Sequence, residues 1–413
     1  MDHPYLIRCH DCDLMNQIVE LPVEGVARCA RCGAVLRRHK HNSLERTLAL
    51  AVTGVILFIL ANAFPFLGLE LQAQTIHTTL ISGVRALFSQ GMWFLGSVVL
   101  LTTIIVPAVQ LMGLLYVLIP LRFNKLPWKF TPFFRYLQEL QPWSMMEVFM
   151  LGILVSIVKL SKMAEILPGI AAYAFMALIF ILAASMAVLD PHQVWEKIQF
   201  PSAIAEGRKR YELDQFANCH SCQLLCRIPR SHALPVVCPR CGATLHRRKL
   251  NSIARVWALL LAAFIFYFPA NMMPITIVTS FGQVQADTIL SGVLYFIKTG
   301  MWPIALVIFV ASVVVPILKL VGLVFLLISV QTRSNWRPVD RTRLYRITEL
   351  VGRWSMVDIY VVTILVALVH LGMLANIEAG PAAGYFCGVV ILTMFAAMSF
   401  DPRLIWDNLE KVK

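Results

Sequence analysis

The sequence predicts a mainly α-helical membrane protein built as a tandem repeat. Each copy joins a four-cysteine ribbon to a four-helix membrane domain, giving eight transmembrane helices in all. Three observations carry that reading. Cys9-x-x-Cys12 and Cys29-x-x-Cys32 recur as Cys219-x-x-Cys222 and Cys238-x-x-Cys241, and a long apolar stretch follows each set. The register between copies holds along the whole chain: Asn42-Ser43 falls on Asn251-Ser252, Ser82-Gly83-Val84 on Ser291-Gly292-Val293, and Asp190-Pro191 on Asp401-Pro402. Hydrophobic residues make up 58% of the chain and charged residues 14%, a balance no single soluble core can bury.

Four segments follow in order: a first ribbon (1–42), a first membrane domain (43–200), a second ribbon (201–251) and a second membrane domain (252–413). Apolar runs long enough to span a bilayer lie near 46–67, 92–120, 143–166 and 169–189, then 255–275, 301–330, 354–375 and 382–400. The connections before Pro168 and Pro381 are tight, so the third and fourth helices of each repeat are expected to pack antiparallel.

Basic residues set the orientation. With the N- and C-termini in the cytoplasm, inner segments hold 31 of the 36 Lys and Arg residues; only Arg85 and Lys298 lie outside, with Lys159, Lys162 and Lys319 inside helices. The net charge of +13 is then a topology signal rather than a nucleic-acid footprint, and anionic inner-leaflet lipids are its natural neighbours. No cleavable signal peptide precedes the first knuckle.

That orientation puts the ribbons in a reducing compartment, where disulfides are rare. Two Cys-x-x-Cys pairs separated by 16 residues in one copy and 15 in the other have four-thiolate zinc spacing, which assigns Cys9, Cys12, Cys29, Cys32, Cys219, Cys222, Cys238 and Cys241 to two structural Zn²⁺ sites. Unpaired buried thiols and a redox-active dithiol are the alternatives; the latter lacks the βαβ setting of thioredoxin-like pairs. Gly33 and Gly242 follow the last cysteines, where a knuckle turn favours positive φ. Cys226 and Cys387 read as small apolar fillers.

Ionisable side chains at membrane depth cost about 2.5–3.5 kcal/mol each on insertion scales and are functional candidates by default. In the second repeat, Ser312 and Lys319 lie two turns apart on one helix face, Ser355 and Asp358 sit near the start of the next helix, and Thr393 lies mid-way along the last. The equivalent positions in the first repeat are Thr103, Gln110, Ser144, Glu147 and Leu182. The second domain is therefore the chemically distinctive one. Lys319 and Asp358 admit a structural salt bridge, a proton or ion relay, or snorkelling. Lys159, Lys162, His370 and Asn376 fit interfacial anchoring. Residues 76–88 and 289–297 have helical apolar spacing and are preceded by short strand-like stretches at 68–75 and 281–285. Pro107 and Pro316 are expected to kink the second helices.

The paired ribbons, the Asn-x-x-Pro ends of the first helices (Asn62, Pro65; Asn271, Pro274), the Trp-Ser-Met-x-(Glu/Asp) openings and the Asp-Pro-x-x-x-Trp codas together resemble the paraquat-inducible protein A (PqiA/LetA) family. The resemblance covers essentially the whole chain. It implies tetraspanin-like membrane domains and an inner-membrane subunit in a Gram-negative bacterium. It also implies work with a periplasmic MCE-domain tunnel protein to move phospholipids between membranes. By the same resemblance, the family's polar network falls on Ser312, Lys319, Ser355, Asp358 and Thr393.

The sequence contains no Gly-x-x-x-x-Gly-Lys-(Ser/Thr) phosphate loop and no nucleophile and base constellation, so neither ATP hydrolysis by that route nor another enzyme activity is expected. A stand-alone secondary transporter and a zinc- or redox-sensing membrane scaffold are the competing classes.

Overall fold

The computed structural model describes residues 5–18, 21–71, 74–160, 165–198, 216–228, 236–280, 283–368 and 375–407. Seven helices among them are long and apolar enough to cross a membrane: Ser43–Ala63, Trp93–Arg122, Phe130–Ile157, Ile170–Val188, Ser252–Met272, Ala305–Gln331 and Pro381–Ser399. The other expected span is described as Val357–Leu368, and residues 369–374 beyond it lie outside the described set.

Each repeat begins with the same latch. Asn42 and Asn251 adopt left-handed backbone (φ 48° and 50°) ahead of the first helices. The next residue ties that helix start to the end of the fourth helix: Ser43 Oγ donates to the Val188 carbonyl at 2.9 Å and accepts from the Asp190 amide at 2.7 Å. Ser252 does the same with the Ser399 carbonyl at 2.8 Å and the Asp401 amide at 3.1 Å. Asp190 and Asp401 then cap short turns by accepting from the backbone N–H of His192 and Arg403, with proline at the position that needs no donor. The Asn-Ser and Asp-Pro signatures are two halves of one joint.

The expected packing partner of the fourth helix needs correction. In both repeats the fourth helix runs along the first, and the third helices Met146–Leu160 and Val357–Leu368 pack on one another across the repeats. The cause is an unforeseen strand between the third and fourth helices. Glu165–Pro168 pairs with Leu67–Leu71, which also pairs with Gln74–Thr78, to make a three-stranded antiparallel sheet; Ala375–Ala379, Thr276–Ser280 and Gln283–Asp287 repeat it. The strand draws the start of the fourth helix to the end of the first. There Gly169 and Gly380 lie so close to the carbonyls of Pro65 and Pro274 that a Cβ would sit 2.2 and 2.1 Å from those oxygens.

The expected amphipathic elements form as Leu80–Ser89 and Ile289–Lys298. Each has a capping box, Thr79 with Ser82 and Thr288 with Ser291. Five-residue π-helical turns, Leu101–Ile105 and Val310–Val314, precede Val106-Pro107 and Val315-Pro316, so the proline irregularity takes the form of a π-bulge. The repeats share one core, in which Phe149, Phe175, Tyr360 and Phe386 are buried together. Polar ties cross it: the Tyr360 hydroxyl donates to Thr102 Oγ1 at 2.8 Å, and Gln90 Oε1 accepts from the Ala379 amide at 3.1 Å.

Candidate functional site

The ribbons are built from knuckles. In the first, the Cys9 amide donates to the Leu14 carbonyl (2.9 Å) and the Asp13 amide to the Cys9 carbonyl (3.0 Å), then the Cys29 amide to Ala34 (2.8 Å) and the Gly33 amide to Cys29 (3.0 Å). Gly33 and Gly242 adopt the expected positive φ, 69° and 70°. The Sγ atoms lie 3.5 Å apart for Cys9–Cys32 and for Cys12–Cys29, and 3.3 and 3.5 Å apart for Cys219–Cys241 and Cys222–Cys238. Within each group all four sulfurs fall within 4.8 Å of one another and all are buried. These separations far exceed a disulfide bond of about 2.05 Å and approach the ~3.7 Å sulfur spacing of a tetrahedral ion with ~2.3 Å metal–sulfur bonds. Each group could hold a metal ion. Hydrogen bonds to Cys32 and Cys9, with burial, hold the Cys12 thiol far above its ordinary range; Cys219, Cys238 and Cys241 do the same to Cys222. Four thiolates this close need a cation to coexist. Cys226 is buried as expected, but its sulfur also lies 4.0 Å from that of Cys238, a fifth thiol at the edge of the second group.

The ribbons dock crosswise, which the sequence did not disclose. The first ribbon's cysteines pack against repeat two, with Tyr345, Phe400, Ile405 and Trp406; the second ribbon's pack against repeat one, with Phe130, Phe134, Val194 and Trp195. Arg346 of repeat two fixes the first ribbon. Its Nε donates to Asp11 at 2.7 Å, Nη1 to the Cys32 carbonyl at 3.2 Å and Nη2 to Cys32 Sγ at 3.3 Å. Arg248 adds a bridge between ribbons, 2.7 Å from Asp13 Oδ2, while also pairing with Asp407. The Arg31 guanidinium stacks 4.5 Å over Trp406. A signal for the asymmetry was present: Arg346 has its counterpart in Arg135, whereas Asp11 corresponds to Ser221.

At membrane depth in repeat two, three elements converge. Lys319, only 2% exposed, donates to Thr393 Oγ1 at 2.8 Å on the last helix and to the Gly352 carbonyl at 3.3 Å in the turn Gly352–Met356. The Thr393 hydroxyl in turn donates a hydrogen bond to the Val390 carbonyl at 3.0 Å. Ser355, in that same turn, is buried with no partner for Oγ among the described residues. Ser312 is fully buried and donates to the Ile308 carbonyl at 2.6 Å, within the π-turn. The Asp358 side chain lies outside the described residues, as do those of Lys159, Lys162, His370 and Asn376. In repeat one, Gln110 occupies the lysine position, buried with Nε2 unpartnered among the described residues, and Leu182 replaces the threonine.

The family model described as paraquat-inducible protein A matches the chain twice, over residues 44–199 and 253–410. The chain belongs to the paraquat-inducible protein A family. Each match covers the helical part of one repeat, so both copies resemble the same family model. Intermembrane transport protein PqiA of Escherichia coli (strain K12) is 33% identical over 410 residues, covering 97% of this chain and 95% of the relative. Lipophilic envelope-spanning tunnel protein A of the same strain is 30% identical over 400 residues, covering 97% and 91%. A probable intermembrane transport protein of Haemophilus influenzae is 27% identical over 409 residues, covering 99% and 97%. No solved structure shows a significant match. The chain is thus a multi-pass membrane protein of a transport family, with two four-cysteine groups able to hold metal.

Proposed function

We propose that this chain is the inner-membrane subunit of a phospholipid transport system, delivering lipid to or receiving it from a periplasmic MCE-domain tunnel protein. Its relatives' names, intermembrane transport and envelope-spanning tunnel, support this reading at nearly full length. Both ribbons face the cytoplasm, as the placement of basic residues indicates. Each holds one Zn²⁺ through its four cysteines, and a closed four-thiolate set suits folding rather than catalysis.

The observation that carries the mechanism is the buried Lys319 ammonium, reaching Thr393 and Gly352 in only one of two otherwise matched repeats. A lysine kept at membrane depth is costly for a purely structural element. Lys319 exchanges a proton, with Asp358 as the carboxylate of the relay and Ser312, Ser355 and Thr393 as hydroxyl partners. Protonation of Lys319 holds the second, third and fourth helices of repeat two together through Gly352 and Thr393; deprotonation loosens the ammonium's hold on that junction and lets the helices shift. Proton flow down its gradient through this site drives lipid movement, which fits a sequence without a phosphate loop.

The test compares Lys319→Ala and Asp358→Ala with wild type in cells and in vesicles containing the partner. Both variants are expected to insert and assemble but to fail in lipid transfer; wild-type complementation by both would falsify the relay. Flux of ions or small solutes through the chain alone, with no partner present, would favour a stand-alone secondary transporter instead.

A further inference from the structure

Two cavities adjoin on the ribbon side of repeat two. The larger, about 730 Å³, lies between both ribbons and the second membrane domain. The smaller, about 370 Å³, is lined by Gln141, Arg346, Glu349, Gly352, Met394 and Met398, where the two repeats meet. Arg346 and Glu349 line both, so the two cavities share a wall. Gly352 lines the smaller cavity, and its carbonyl accepts from Lys319 Nζ. One residue thus touches both the cavity and the buried ammonium.

Its dimensions and lining suit water. At about 30 Å³ per molecule the inner cavity has room for several waters, and an amide, a carboxylate, a guanidinium and a carbonyl provide the polar partners each one needs. The first ribbon supports this passage: Asp11 and Cys32 hold Arg346, and thereby the shared wall. Repeat one lacks the same set. Its counterparts of Gly352, Glu349 and Lys319 are Gln141, Gln138 and Gln110. The carboxylate, the side-chain-free turn and the cation are thus gained or lost together.

We infer that these two cavities are the aqueous inlet of the second membrane domain, through which water-borne protons reach Lys319 from the ribbon side, past Glu349 and Gly352. This rests on the reading of Lys319 as an exchangeable site. The first ribbon thereby gains a purpose at the membrane, as the frame of the inlet.

Cysteine accessibility tests it in the full-length protein. Met394→Cys and Met398→Cys are probed in membrane vesicles of both orientations with a charged, membrane-impermeant methanethiosulfonate. Wild type supplies the background of native thiols. Leu261→Cys, at a position 62% exposed mid-way along a membrane helix, supplies the lipid-facing control. Because the thiolate is the nucleophile and needs water, both inlet cysteines are expected to react at least about tenfold faster than the control, and only from the ribbon side. Reaction no faster than the control, or from the opposite face, overturns the inlet. Reaction of Met398→Cys alone, the more exposed of the two, overturns its continuation to Gly352. The readout does not involve lipid: inert cysteines with transport lost in Lys319→Ala remove the inlet and spare the proposed function. Reactive cysteines with normal transport in that variant do the reverse.

Discussion

Replacing Lys319 with methionine separates a structural lysine from a working one. The side chains have similar length and volume, so packing against the neighbouring helices is kept while the charge and its hydrogen bonds are lost. The wild-type residue donates to Thr393 at 2.8 Å and to Gly352 at 3.3 Å, and hydrogen bonds to charged groups contribute about 1.5–3 kcal/mol each. Against this stands the cost of holding a cation at membrane depth, about 2.5–3.5 kcal/mol on insertion scales. Thr393 Oγ1 is not orphaned, because it still donates to the Val390 carbonyl. The Gly352 carbonyl loses its side-chain partner, a loss of about 1–3 kcal/mol. With the carbonyl's loss counted within its hydrogen bond, about 3–6 kcal/mol lost against about 2.5–3.5 regained leaves a net change between about 0.5 kcal/mol stabilising and about 3.5 kcal/mol destabilising. A lock that depended on an intact buried ion pair would instead lose about 3–5 kcal/mol on removal of one partner. The assay pairs unfolding in detergent, followed by tryptophan fluorescence, with lipid transfer in vesicles containing the tunnel partner. Lys319→Met is expected to unfold near the wild-type midpoint and to transfer no lipid. Transfer at the wild-type rate would refute the argument, and so would a large loss of stability accompanied by loss of transfer.

Other outcomes follow from the same geometry. Glu147→Ala, at an exposed position of repeat one, is expected to retain transfer where Asp358→Ala loses it; equal loss would remove the claimed asymmetry. Arg346→Ala leaves Asp11, 5% exposed, without its guanidinium and is expected to weaken docking of the first ribbon by about 1–3 kcal/mol, seen as faster reaction of Cys9 and Cys32 with a thiol reagent while the second ribbon is unchanged. Metal binding must expel protons from thiols that neighbouring sulfurs and burial hold in the protonated form, so zinc affinity is expected to fall as pH is lowered, measured by competition with a chromogenic chelator; affinity flat in pH would refute thiolate ligation. Gly169→Ala places a methyl 2.2 Å from the Pro65 carbonyl oxygen and is expected to cost upwards of about 1–3 kcal/mol, read as a lowered unfolding midpoint.

Local signals in the sequence were sufficient for the elements and for the ligand set. Cysteine spacing located both four-cysteine groups, apolar run length located seven of the eight expected spans among the described residues, and helical apolar spacing located the short amphipathic helices. What escaped depends on pairs far apart in the chain. Glu165–Pro168 is too short to announce itself as a strand, and it becomes one only because Leu67–Leu71 offers an open edge. That pairing in turn displaced the fourth helix from its expected neighbour. Crosswise docking escaped for the same reason: Arg346 reaches Asp11 across 335 positions, and neither residue carries a local mark of the other. Lys319 and Thr393, which the structure brings into contact, were legible because a polar residue at membrane depth is conspicuous. Gly352 was not, since a backbone acceptor has no signature in composition.

The crosswise arrangement bears on why both ribbons persist in a duplicated chain whose membrane halves have diverged. If each ribbon sat on its own repeat, either copy could drift independently of the other. Here the first ribbon covers one end of repeat two through Arg346 and Trp406, and the second covers the matching end of repeat one around Trp195. Loss of either ribbon would expose the buried base of the opposite domain, and the third helices already share one core through Tyr360 and Phe149. Each half is thus completed by the other at both the ribbon and the helix level. Repeat one can then shed Lys319's equivalent without becoming dispensable, because it supplies Gln141 and Pro142 to the cavity that borders Gly352. One repeat carries the buried lysine and the other builds part of the cavity wall that borders its backbone partner Gly352, which is a division that two independent domains could not make.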